Sequence, residues 1–152
     1  MSPQLSAAFS LIAETGRDLD DWWIIGSAAL ALHGFDTGEP GDVDLFAPRV
    51  VIETFLGRLG ETVRTPRPSE RFSSNPYQRV IRPNMTDIEV MGDLKVENAG
   101  IWQAVSFTSR AAFDVPGGRV FAPDLAEQIA LFELFGRPKD LDKAARAADT
   151  LR

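Results

Sequence analysis

The stretch from Trp22 to Phe46 constrains the fold of this chain more than any other part of the sequence. It opens with four large apolar residues, 22–25, and such a short run ended by Gly26 is typical of a buried β-strand. Gly26 and Ser27 make a turn. The strong helix formers of residues 28–33 then predict a short helix with Ser27 as its N-cap.

A second strand is predicted after a loop rich in Gly, Pro and Asp, where Asp42-Val43-Asp44-Leu45 follows. Side chains two residues apart lie on one face of a strand, so the two aspartates point the same way. Paired carboxylates repel each other unless a cation lies between them, and Mg²⁺ prefers such hard oxygen ligands. The preceding helix N-terminus offers free N–H groups to an anion. The plain alternative is a surface strand whose aspartates face water.

The order of strand, Gly-Ser, helix, loop and Asp-x-Asp strand resembles the nucleotidyltransferase superfold, the DNA polymerase β-like group. The matching residues are Gly26, Ser27, Asp42 and Asp44. The run Gly-Ser-Ala-Ala-Leu-Ala-Leu-His followed by Asp-Val-Asp-Leu-Phe is most similar to the AbiEii-type branch, known from toxin–antitoxin and phage-defence systems. The resemblance implies an α+β fold, with a mixed β-sheet flanked by helices and a C-terminal helix pair. It also implies transfer of a nucleotidyl group from an NTP, with Mg²⁺ or Mn²⁺, to an unidentified small molecule, protein or RNA.

The superfold resembled here uses a third carboxylate on a later strand, and residues 85–91 offer two. Asp87 and Glu89 share one face of this predicted strand. Glu89, between Ile88 and Val90, fits the apolar–acid–apolar pattern better, and Asp87 is the second choice. Such a carboxylate binds the metal or takes a proton from the acceptor hydroxyl. The alternative is an amphipathic strand with a solvated acidic face.

The C-terminal sequence Phe-Gly-Arg-Pro-Lys-Asp-Leu-Asp resembles the helix pair of AbiEii-like proteins, in which a Lys-Asp pair lies near the nucleotide. This implies that Lys139 contacts phosphate and that Asp140 orients it; the alternative is a capped, solvent-facing helix start. AbiEii-like chains often carry an Arg before the Asp-x-Asp and a Lys in the penultimate helix, where this chain has residues 38–41 and Phe132-Glu133. Missing cations weaken triphosphate binding. A second hypothesis is therefore a weak or inactive enzyme that acts as a regulatory or antitoxin-like binding partner.

The remaining elements are predicted from apolar periodicity and turn residues. Tryptophans 22, 23 and 102 are expected in the core, Val80 and Ile81 are expected to mark a core contact, and Arg110 is expected to form a salt bridge. The predicted helices are Pro3–Thr15, 49–59, one that begins at Pro123-Asp124 and stops at Gly136, and a last one that ends near Arg152; the predicted strands are 61–65, 71–74, 78–82, 105–108 and 120–122.

Composition limits the possible functions. At 152 residues and 44% hydrophobic, the sequence predicts a single domain over residues 1–152. The absence of cysteine excludes disulfides, a thiol nucleophile and a cysteine zinc site. No secretory signal and no apolar run of the ~20 residues that span a membrane are found, so we expect a cytoplasmic protein. A net charge of −6 makes general DNA or RNA binding unfavourable and tilts the expected acceptor towards a small molecule, with a cation as one option, or towards a protein.

Overall fold

The computed structural model describes residues 1–64 and 69–151. Helices and strands alternate along the first half of the chain, short strands follow, and two helices end it. The elements are α1 (Pro3–Thr15), β1 (Trp23–Ile25), α2 (Ser27–Leu32), β2 (Asp42–Ala47), α3 (Arg49–Leu59), β3 (Phe72–Ser73), β4 (Tyr77–Val80), β5 (Asp87–Gly92), β6 (Lys95–Asn98), β7 (Ile101–Ala104), β8 (Ala111–Val115), β9 (Gly118–Ala122), α4 (Leu125–Phe135) and α5 (Pro138–Thr150).

A four-stranded mixed sheet in the order β1-β2-β5-β4 forms the centre of the fold. β2 and β5 run parallel, and β1 and β4 pair antiparallel on either side of them. The parallel register sets Asp42 opposite Asp87 and Asp44 opposite Glu89. Because side chains alternate along a strand, all four carboxylates lie on the same face of the sheet.

The opposite face of this sheet is apolar and covered by helices α1 and α3. Val43 and Leu45 of β2 are fully buried there, in one cluster with Ile88 and Val90 of β5 and with side chains of both helices. Trp22 closes one end of this core, with its ring edge-on to Phe55 and to a ring of the β8–β9 hairpin. This packing fixes which way β2 faces, since a shift of one residue would put the aspartates into the core.

The carboxylate face is covered only in part. Beyond the acids, Ile25 and Phe46 are buried beneath side chains of β6 and α4. Helices α2, α4 and α5 pack together through a third apolar cluster that includes Leu30, Phe132 and Ala144. The predicted α+β class, with a mixed sheet flanked by helices and a C-terminal helix pair, is confirmed. No helix in residues 1–64 or 69–151 has the length and apolar character needed to cross a membrane.

Several local predictions are wrong. Residues 105–108 form no strand, whereas the strands β6 and β7 that precede them were not predicted. Residues 61–64 form no strand, and Thr65 lies outside the described residues. Ile81 and Trp102 are exposed. Arg110 stacks its guanidinium 3.4 Å from the centre of the Phe121 ring and donates a hydrogen bond to the Trp22 carbonyl oxygen, in place of the expected salt bridge.

Candidate metal centre

Three of the carboxylates predicted from the sequence meet on one face of the central sheet. Asp42, Asp44 and Glu89 each offer one oxygen, and these oxygens lie within 4.8 Å of one another. The parallel pairing of β2 and β5 produces this meeting, because it places Glu89 directly opposite Asp44. Residues 45 positions apart in the chain, such as Asp44 and Glu89, thus build one acidic cluster.

Asp44 is the most constrained member of the cluster. Burial raises the pKa of its carboxyl well above the usual value, and the hydrogen bond to Glu89 and the charges of Asp42 and Glu89 raise it further. Its Oδ1 is buried and has no hydrogen-bond partner. Buried polar atoms are nearly always satisfied, so this oxygen indicates a missing ligand. Hard carboxylate oxygens at this spacing fit a divalent cation such as Mg²⁺.

Asp87, the second choice for the third carboxylate, lies outside the group of three. Its Oδ2 accepts a hydrogen bond of 3.0 Å from Arg79 Nε. The same guanidinium donates to Glu89 Oε1 at 2.9 Å and lies 3.6 Å from Asp42 Oδ2. Arg79 is therefore a shared counter-ion for the acidic face, with Asp87 and Glu89 at hydrogen-bond distance and Asp42 farther away.

Tyr77 also holds the third carboxylate. Its hydroxyl donates a 2.6 Å hydrogen bond to Glu89 Oε1, the atom that already accepts from Arg79. Burial and this bond to an anion raise the pKa of Tyr77 to about 12, so the hydroxyl keeps its proton. Two donors on one oxygen fix the orientation of the Glu89 carboxylate.

The Gly26-Ser27 turn lies beside Asp44. Gly26, not Ser27 as predicted, is the N-cap of α2, and Ser27 is the first helical residue. Gly26 has φ +75° and ψ −149°, and a Cβ there would lie 3.1 Å from Asp44 Oδ2. Its N–H donates to Oε1 of Gln128, a fully buried side chain of α4. Gln128 thus fixes the backbone of the turn, which packs closely against the Asp44 carboxylate.

The last helix brings cations to this turn. Lys143 Nζ donates a 2.7 Å hydrogen bond to Ser27 Oγ. Lys139 and Arg137 line the same cavity of about 100 Å³, together with Asp42, Asp44, Gly26 and others. We call this space the serine-side cavity. It carries positive charge next to the carboxylates, a distribution suited to an anion.

Asp140 has a different partner from the one predicted. It is 1% exposed, and both of its oxygens accept from Arg137, from Nε at 2.5 Å and from Nη2 at 3.1 Å. It therefore orients Arg137 rather than Lys139. Burial and the charge of Glu89 raise the pKa of Asp42, and the charges of Arg79 and then Lys139, which lies in the serine-side cavity, act against this rise.

Sequence reasoning missed the residues that support this centre: Tyr77, Arg79, Gln128, Arg137 and Lys143. One signal was available, because Lys139 and Lys143 are four residues apart on a helix and so share a face. The expected shortage of cations in residues 38–41 and at Phe132-Glu133 is offset by α5.

A second cavity adjoins the centre on its other side. It measures about 200 Å³, and Asp44, Phe135 and Arg137 line both cavities. Its other walls include Glu89, Tyr77, Phe72 and Met91. We call it the aromatic cavity. Asp42 lines only the serine-side cavity and Glu89 only the aromatic one.

Comparison with known proteins supports the class of fold. No family model and no curated protein matches the sequence. A crystal structure of a provisionally assigned nucleotidyltransferase from Thermotoga maritima superimposes with a TM-score of 0.71 at 16% identity, covering 95% of this chain and 91% of that one. The antibiotic-resistance factor ANT(2″)-Ia matches in a solution structure, with a TM-score of 0.57, 15% identity and coverage of 97% and 83%. Its crystal structure with adenylyl-2″-tobramycin gives 0.58, 15%, and 98% and 89%. The chain thus has the nucleotidyltransferase fold that its sequence predicted.

Proposed function

We propose that this protein is a metal-dependent nucleotidyltransferase that transfers a nucleotidyl group from an NTP to a hydroxyl of an acceptor. The observation that carries the proposal is the meeting of Asp42, Asp44 and Glu89, together with the buried Oδ1 of Asp44 that has no hydrogen-bond partner. The fold alone would not support this, since one fold serves many functions. Lys139, Lys143 and Ser27, which line the same cavity as Asp42 and Asp44, supply the second half of a metal–nucleotide site.

The three carboxylates would hold the cation, which when bound supplies positive charge to the phosphate oxygens. Lys139, Lys143 and the Ser27 hydroxyl bind the β- and γ-phosphates in the serine-side cavity. The acceptor oxygen attacks the α-phosphorus in line with the departing pyrophosphate. The acceptor's proton passes to the Glu89 carboxylate, which Tyr77 and Arg79 hold in place.

Binding and turnover test this proposal together. We expect Mg²⁺ or Mn²⁺ with one or more NTPs to bind in isothermal titration, and pyrophosphate to be released when the acceptor is present. Glu89→Gln should abolish both release and tight metal binding. Asp87→Asn is the matched control, because Asp87 lies two residues away on the same strand face and shares Arg79 with Glu89, but it lies outside the group of three carboxylates. Absence of binding by every NTP, or equal loss in the two variants, contradicts the assignment.

A regulatory binding partner of the AbiEii type is the second candidate, and strand β7 favours it. All four of its residues are exposed, with Ile101 63% and Trp102 47% accessible, and it forms one edge of the sheet β3-β6-β7. An exposed apolar edge strand is a typical protein-binding surface. A stoichiometric partner bound by wild type but not by Trp102→Lys, with no nucleotide turnover, supports this function; turnover that Asp44→Ala abolishes refutes it. The cytoplasmic location and the single domain over residues 1–152 stay predictions.

A further inference from the structure

We infer that the aromatic cavity is the acceptor site and that it takes a compact, uncharged alcohol with an apolar or one-ring body. This inference rests on the proposed function. The two cavities lie on either side of Asp44 and Arg137, which line both of them.

The position of the acceptor follows from the direction of attack. Entering and leaving oxygens lie roughly in line on either side of the phosphorus. Ser27, Lys139 and Lys143 mark the serine-side cavity as the place of the leaving pyrophosphate. The acceptor oxygen therefore approaches from across Asp44, which is where the aromatic cavity opens and where Glu89 lies to receive the proton.

The walls of the cavity select an apolar body. The rings of Phe72 and Phe135 meet edge to face with centres 5.2 Å apart, and Met91 and Tyr77 add a thioether and a phenol ring. Such walls favour stacking of a ring or packing of an aliphatic chain. At about 200 Å³ the cavity is smaller than the 300–1,000 Å³ usual for drug-sized ligands, so the acceptor is compact.

The charges of the cavity select against a polycation. Among the described residues that line it, the only carboxylates are Asp44 and Glu89, which the metal requires. The remaining charged group is the guanidinium of Arg137, which lies 5.2 Å from the Phe72 ring centre and is already paired with Asp140, so it offers an ammonium group no anion. The chain's net charge of −6 favours cations at long range, but no spare anion in this cavity would bind them. An aminoglycoside of the kind seen with ANT(2″)-Ia is therefore not the expected acceptor.

A matched pair of ligands tests the inference directly. 2-Phenylethanol and 2-phenylethylamine share one ring, and the second replaces the hydroxyl by an ammonium group. With ¹³C-methyl methionine labelling, we expect 2-phenylethanol to shift the Met91 signal in the presence of Mg²⁺ and a non-hydrolysable NTP, while Met1 and Met85 stay unchanged. The amine and tobramycin should leave Met91 unshifted. The nucleotidyl group of a labelled NTP should pass to the alcohol, with one pyrophosphate released per ester formed.

Variants separate the cavity from the rest of the molecule. Phe72→Ala should weaken 2-phenylethanol binding about tenfold, the size of one aromatic contact, with the affinity for Mg²⁺–NTP changed less than about twofold. Phe107→Ala is the control. Phe107 is half-buried like Phe72 and belongs to the same apolar cluster, but it packs against Phe46 and does not line the aromatic cavity. Met91→Ala is a second cavity variant if Phe72→Ala fails to fold; because it removes the reporter methyl, its affinity for 2-phenylethanol is measured by isothermal titration, again with a loss of about tenfold expected.

The outcomes of this experiment distinguish the two proposals. Binding of Mg²⁺–NTP without any Met91 shift by the alcohol, or an equal shift by the amine, overturns the inference and leaves the proposed function in place. A Met91 shift produced by NTP alone and reversed by the alcohol overturns it too, because the cavity would then hold the nucleoside. A Met91 shift by the alcohol with no NTP binding supports the ligand class of the cavity and refutes the proposed function.

Discussion

Replacement of Gly26 by alanine tests the close approach on which the candidate site depends. The backbone there, at φ +75° and ψ −149°, is in a region that is almost restricted to glycine, and strain of this kind costs about 1–3 kcal/mol. The new Cβ would also lie 3.1 Å from Asp44 Oδ2, so that this carboxylate must move by a few tenths of an ångström. For a chain of this size we expect the melting temperature to fall by roughly 2–12 °C.

The effect on binding should exceed the effect on stability. Asp44 is central to the three-carboxylate cluster, so we expect Gly26→Ala to weaken Mg²⁺–NTP binding at least tenfold, even at temperatures where the variant is folded. Urea denaturation measures the loss of stability, and isothermal titration measures the loss of affinity for Mg²⁺–NTP. Small displacements at a metal centre matter because its ligands must meet the cation at about 2.1 Å.

Gly41→Ala is the matched control for this experiment. Gly41 lines the same cavity, but a Cβ at that position meets nothing within 4 Å and its φ is not positive. We expect its free energy of unfolding to change by less than about 0.5 kcal/mol and its metal affinity to be unaltered. If Gly26→Ala behaves like Gly41→Ala, neither the strain nor the contact with Asp44 exists, and the reasoning about this turn is refuted.

Four further predictions follow from the same contacts. In the absence of metal, Asp44→Asn should raise the free energy of unfolding, measured in urea, by about 1–3 kcal/mol, because it removes a charge that is buried and repelled by its neighbours. The same variant should no longer be stabilised by Mg²⁺. A lower free energy of unfolding without metal would contradict this prediction. The pKa of Asp44 is raised in the folded state, so between pH 3.8 and that pKa the folded protein binds this proton more tightly than the unfolded chain does. The free energy of unfolding without metal should therefore fall as the pH rises through this range. Asp44→Asn should make the free energy of unfolding less dependent on pH. Gly57→Ala in α3, where a Cβ meets nothing within 4 Å, should stabilise the protein by about 0.5–1 kcal/mol in thermal or urea unfolding. Lys143→Met should weaken binding of NTP far more than binding of Mn²⁺ alone, and an equal loss of both would place Lys143 in the metal centre instead.

The sequence predicted those elements whose pattern is set by burial on one side. Helices α1 and α3 have the predicted bounds, because their apolar residues recur at helical spacing between a capping residue or proline and a stopping glycine. The shared face of Asp42 and Asp44 was likewise predictable from the alternation of β2, with Val43 and Leu45 buried beneath them.

Elements without such one-sided burial were not predictable. All four residues of β7 are exposed, so the strand shows no alternation. Its connection to β6 is the two-residue turn Ala99-Gly100, with φ +52° and +80°, and alanine is a poor indicator of such a turn. A strand was predicted at residues 105–108 but does not form. Val105 and Phe107 gave the strand-like apolar pattern there, and they pack in the cluster of Phe46 without pairing with another strand.

The third carboxylate and the cations show a different limit of sequence reasoning. The choice between Asp87 and Glu89 depended on the parallel register of β2 and β5, which places Glu89 opposite Asp44 and which the sequence does not reveal. Lys143 reaches Ser27 across 116 residues of chain. A sequence motif identifies only the residues within it. The charged residues that complete this centre, such as Lys143, belong to distant elements that approach it only in the folded protein.

The division of charge between the two sides of the site explains why a metal–nucleotide complex suits it better than either component alone. On the sheet face, Arg79 is the counter-ion found within 4 Å of Asp42, Asp87 and Glu89, and Asp44 adds a fourth carboxylate, so this side needs a cation. On the α5 side, Asp140 neutralises Arg137. The charges of Lys139 and Lys143 are left to be balanced by an anion. A divalent cation alone would satisfy the first side and repel the second, and a free triphosphate would do the reverse. Because both sides border the same cavity beside Gly26, a ligand that carries both charges meets each requirement at once, and its affinity should exceed that of the metal or the nucleotide measured separately.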